Sequence, residues 1–91
     1  MPFITEVNKL NHHLENIIEK EQQGKIALFC KFDVESLLKL AQAKYATWST
    51  LKEMDEEVLI ELYSVINRAE EFLEYLCETY NLTKDEDILK V

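Results

Sequence analysis

Residues 56–80 read EEVLIELYSVINRAEEFLEYLCETY, and the way their apolar positions are shared among neighbours decides the fold. At about 100° per residue, Val58, Leu59, Leu62, Val65, Ile66, Ala69, Phe72, Leu73, Leu76, Cys77 and Tyr80 fill an arc of about 140°, wider than the roughly 100° stripe of a surface helix. One neighbour cannot cover such an arc. Its edges read as two seams sharing Leu62, Ala69 and Leu76, with Val58, Val65 and Phe72 on one side and Leu59, Ile66, Leu73 and Tyr80 on the other. The stretch is expected to be a long central helix, from about residue 52 or 55 to 81, with one further helix against each seam.

The rest of the chain supplies those helices. Phe3, Val7, Leu10, Leu14, Ile17 and Ile18 recur by threes and fours, which predicts a first helix over residues 3–23, and Gly24 is suited to close it in the left-handed conformation. Val34, Leu37, Leu38, Ala41, Tyr45 and Trp48 define another face. Between them lies KIALFCKF, residues 25–32, whose period fits a buried strand or a buried helix; with no second strand to pair with, it is read as helical. Extending the second helix backwards through it would turn Leu28 and Phe32 away from that face. A break near Asp33 is therefore expected, with Asp33 as N-cap and Phe32 and Leu37 as a hydrophobic staple. Thr50 with Glu53, or alternatively Asp55, is positioned to cap the long helix, and Thr83 with Glu86 predicts a short terminal turn or helix carrying Ile88, Leu89 and Val91.

The fold class that follows is all-α: one domain, residues 1–91, forming a small antiparallel bundle of three main helices with short connecting and C-terminal helical segments. One Gly and one Pro in 91 residues, with 47% apolar content, agree with long helices rather than a turn-rich β fold. A long helix of about 40 Å against a second helix of about 22 Å, residues 34–48, leaves apolar surface to be met by other segments or by a second copy of the chain. A homodimer pairing through this uncovered seam is thus an alternative reading.

Charge narrows the function. Residues 1–52 hold seven Lys against six Asp or Glu, whereas residues 53–91 hold twelve acidic and three basic residues, so the net charge of −8 is a property of the C-terminal half. Such a field repels phosphates and attracts basic surfaces, which excludes direct nucleic-acid binding and favours a protein partner with a basic surface. Ile60 and Tyr75 interrupt the polar face of the long helix, among Glu61, Ser64, Arg68, Glu71 and Glu78. The expected partner-binding residues are Ile60 and Tyr75 as anchors, with Glu71, Glu74 and Glu78 steering the approach.

Catalytic and metal-binding patterns are not found. A single glycine makes no phosphate loop, His12 and His13 point about 100° apart on a helix, and His12 with Glu15 has no second pair to complete a bundle metal site. No cofactor, metal or catalytic residue is assigned. Glu53 with Glu56 and Glu71 with Glu74 resemble the E-x-x-E spacing by which small helical nucleotide pyrophosphohydrolases hold magnesium, and that resemblance would imply cleavage of nucleoside triphosphates. In that family the pairs sit on different helices facing one cleft, whereas here both fall on or near one helix. LTKDEDILKV, residues 82–91, is similar to the loop and last helix of the histone fold, but the long helix before it is acidic. Trp48-Ser49-Thr50 stands where small secreted helical hairpins of the ESX type carry Trp-x-Gly. None of the three fixes a family.

MPFITEVNKL does not read as a secretory signal and no run approaches the roughly 18 apolar residues of a membrane span. Cys30 and Cys77 each lie in an apolar run and are read as buried free thiols. The expected location is cytoplasmic. The function expected is that of a small acidic binding module, an inhibitor, antitoxin-like or immunity-like protein or adaptor, that occludes a basic surface of a larger macromolecule.

Overall fold

The computed structural model describes residues 3–82, in which the chain forms three helices, α1 (Phe3–Gln22), α2 (Ala27–Trp48) and α3 (Glu56–Tyr80). Among the described residues there is no strand, and each helix packs on the other two. Their directions follow from which residues meet. Phe3 stacks edge-on against Trp48 at 4.9 Å and Glu6 pairs with Lys44 at 3.0 Å, so the start of α1 lies beside the end of α2 and the two run antiparallel. Arg68 donates to Asn11 and Tyr80 donates to Glu21, a nearly constant offset along both helices, so α3 runs parallel to α1. The bundle is up-down-up with short loops. The terminal segment expected from Thr83 and Glu86 lies outside the described residues.

The wide arc of α3 is filled as its pattern requires. Leu62, Ala69 and Leu76, shared by both seams, are completely buried, and Val65, Ile66, Phe72, Leu73 and Cys77 flank them in the core. Arg68 and Tyr75, next to the Val65 and Phe72 edge, reach α1 through Asn11 and Glu21, while Tyr63, beyond the Leu59 and Ile66 edge, packs its ring at a tilt against Tyr45 of α2, centroids 5.8 Å apart. Helix α1 contributes Val7, Leu10, Leu14 and Ile17 and α2 contributes Val34, Leu37, Leu38 and Ala41 to the same cluster. The near-complete burial of Val7, Leu14, Ile17, Val34, Leu38, Leu62 and Leu76 supplies the main folding drive.

The helix ends show why the elements stop where they do. Gly24 takes φ +86°, Lys25 N–H donates to Lys20 O at 3.0 Å and Gly24 N–H donates to Glu21 O at 3.0 Å. This is the paired hydrogen-bond closure of a helix by a left-handed residue. Asn81 does the same for α3 at φ 54°, with Leu82 N–H donating to Cys77 O at 2.9 Å and the Leu82 side chain packing on the core. Of the two caps weighed for α3, Asp55 holds the position, its carboxylate accepting from Glu57 N–H at 3.0 Å. The Thr50 hydroxyl instead donates to Thr47 O at 2.7 Å and ends α2.

One expectation fails. No break occurs near Asp33: KIALFCKF enters α2 at Ala27 and the helix runs unbroken to Trp48, with Ile26, not Asp33, in the N-cap position and no side chain capping it. The projection was right that Leu28 and Phe32 point away from the Val34 face, but the chain leaves both exposed rather than bending to bury them. A continuous helix keeps its backbone hydrogen bonds, which a kink at Asp33 would give up. In consequence α2 has 22 residues against 25 in α3, about 33 Å against about 37 Å, and the length mismatch that pointed to an uncovered seam on α3 disappears.

Candidate partner-binding face

The outer side of α3 is built by the same period that buries its inner side. Ile60, Ser64, Asn67, Glu71, Glu74 and Glu78 follow one another by threes and fours on the side opposite Leu62, Ala69 and Leu76, and all are exposed. Seven glutamates and one arginine lie on α3, and that arginine is bonded to Asn11. The face is therefore almost uniformly negative.

The structure separates the expected binding residues into two groups. Ile60 is 65% exposed near the start of α3, and Tyr75 is fifteen residues on, about 22 Å away along the helix. Glu71, Glu74 and Glu78 cluster with Tyr75, not with Ile60. Around Ile60 the surface is grooved on both sides: a cleft of about 610 Å³ with Ile4, Asn8, Val58 and Glu61 among its walls, and one of about 300 Å³ formed with Tyr45, Leu59 and Tyr63. Ile60 forms the ridge between them, with Glu56, Glu57 and Glu61 as its rim. Ile4 and Tyr63, both exposed, extend this apolar ground beyond what the sequence pattern singled out. Ile4 is out of phase with the buried stripe of α1, which is the signal that could have found it.

Tyr75 has a second role. Its ring stacks on Phe72 at 5.8 Å and its hydroxyl donates to Glu21 Oε2 at 3.3 Å, while Tyr80 donates to the same oxygen at 2.5 Å. Glu21 is buried because it continues the series Val7, Leu10, Leu14, Ile17 by one more step of four, placing a carboxylate where the period calls for an apolar side chain. Two phenols answer it. Hydrogen bonding to Glu21 pushes the Tyr80 phenol up to about 12, with smaller contributions from burial and from the Glu21 charge. Burial, reinforced by the charges of Asp33 and Glu21, also raises the Cys30 thiol above its ordinary value, which makes this buried cysteine a poor nucleophile. Cys77 is likewise buried and forms no disulfide.

The acidic pairs that resemble a magnesium site do not converge. Glu56 and Glu71 are separated by about 22 Å of helix, and both lie on exposed surface. Among the described residues no group of three or more His, Cys, Asp or Glu is arranged to hold a metal ion. His12 and His13 line an open groove on α1 with Thr5, Asn8, Lys9 and Asn16. Among the described residues no helix is long and apolar enough to cross a membrane.

Among the described residues, the architecture and the face together define a three-helix all-α bundle with an acidic outer face on α3. No family model matches the chain, and comparisons with curated proteins and with solved structures find no match either.

Proposed function

We propose that the chain is a small acidic protein-binding module that docks onto and occludes a basic surface of a larger macromolecule. The observation that carries this reading is the composition of α3: seven glutamates, all exposed, against one internally bonded arginine, with the exposed Ile60 standing between two grooves at one end. Charge of one sign along a helix accelerates encounter with an oppositely charged surface and falls away with salt, whereas lifetime is set by a few apolar anchors. Ile60, helped by Ile4 and Tyr63, supplies the anchor. Glu71, Glu74 and Glu78 supply the attraction, with the exposed ring edge of Tyr75 among them.

The test begins with capture from the native host and continues with rates. The retained protein should present a basic surface, and its association rate with this chain should fall steeply as ionic strength rises. Glu71→Gln, Glu74→Gln and Glu78→Gln together should slow association, and Ile60→Asp should speed dissociation. A captured partner whose association is indifferent to salt and to the triple substitution would overturn the reading.

A further inference from the structure

Helix α2 carries an unpartnered face of its own. Phe29, Phe32, Ser36, Leu40, Ala43 and Thr47 fall within about 80° of one another at 100° per residue, on the side turned away from the buried Val34, Leu38 and Ala41. Phe29 is 61% exposed, Phe32 51% and Leu40 50%, and the three smaller residues between and beyond them are exposed as well. Their spacing of three and four is that of a helix-packing seam.

We propose that a second copy of this chain covers this face, α2 against α2 in antiparallel sense, with the two-fold axis at Ser36. The residues themselves set the register. Counting outward from Ser36 in opposite directions brings Phe32 level with the other copy's Leu40 and Phe29 level with its Ala43, so the larger rings meet smaller side chains in successive layers. Ser36 at the axis is small enough for the backbones to approach. Charge selects the same arrangement. Asp33 and Lys39 lie three residues on either side of Ser36, so an antiparallel copy sets each carboxylate level with the other's ammonium, where a parallel copy would set like against like. α2 carries three lysines against two acids, so two copies of a chain of net charge −8 meet here without the repulsion that their α3 helices would impose.

The pairing uses a different helix from the acidic face, so either can fail without the other. Sedimentation of the whole chain over a wide concentration range should show monomer passing to dimer, and Phe32→Asp and Leu40→Asp should each abolish the dimer while leaving helix content unchanged. Under mild oxidation Ser36→Cys should give a covalent dimer. Ala43→Cys should not, because the two copies of residue 43 would lie about 21 Å apart along the antiparallel pair. The native cysteines are buried and do not compete. A chain that stays monomeric throughout overturns the proposal and leaves the face to another protein. So does a dimer indifferent to both aspartates, or one linked through position 43 rather than 36.

Discussion

At the scale of single residues, the departures from pattern are the informative positions. Glu21 falls in phase with an apolar stripe and is stabilised by the hydroxyls of Tyr75 and Tyr80. With the Tyr80 phenol held near 12, above the ordinary value of about 10, its neutral form contributes stability that is fully present below pH 10 and is lost as pH rises from 10 through 12. Absorbance titration should therefore show a tyrosine ionisation near pH 12, and Tyr80→Phe should remove both that phase and the matching loss of stability. Gly24 is a second such position. A Cβ there would meet nothing within 4 Å, so Gly24→Ala carries only the backbone penalty of φ +86°, roughly 1 kcal/mol, and should lower the melting temperature by about 4–8 °C. The glycine was legible in the sequence because one residue type prefers that conformation. The Glu21 cluster was not, since a charged residue in an apolar series shows that a partner is needed without showing which tyrosines, some sixty positions away, provide it.

At the scale of elements, periodicity read α1 and α3 correctly because each has one buried face and a polar remainder. Helix α2 defeated the same reasoning. It is apolar on nearly every side, so Leu28, Phe29, Phe32 and Leu40 compete with Val34, Leu37 and Leu38 for the inward direction, and the sequence alone invites a break that would bury both sets. The backbone resolves the competition by keeping its hydrogen bonds and exposing one set. Local capping chemistry was similarly outvoted: Asp33 offers a good cap, yet the helix starts at Ile26, whose side chain accepts nothing. That start is improvable. Ile26→Asp places an acceptor beside the first free N–H groups and a negative charge at the helix N-terminus, and should stabilise the fold by about 1 kcal/mol in urea unfolding. Asp55→Ala, which removes the carboxylate bonded to Glu57 N–H, should cost about the same at the start of α3. If Ile26→Asp were destabilising instead, the unbroken course of α2 through Asp33 would be the first feature to doubt.

For the whole molecule, the distribution of charge conflicts with stability. Helix α3 ends with Glu74 and Glu78 four apart and with no basic residue in its last turn, although the C-terminus of a helix favours cations. A fold optimised only to stand up would place a lysine there. Glu78→Lys should convert a repulsive pair with Glu74 into an attractive one in the favourable orientation and complement the helix dipole, raising stability by about 0.5–1 kcal/mol at low salt. The same substitution removes two units of attraction from the face proposed to meet a basic partner, so it should slow association with that partner as it strengthens the fold. Thermal melts and association kinetics on one pair of proteins read both effects. A more stable Glu78→Lys that binds as fast as the parent would mean that the acidity serves solubility alone; a slower, more stable variant would mean that α3 keeps its glutamates at the expense of stability because binding needs them.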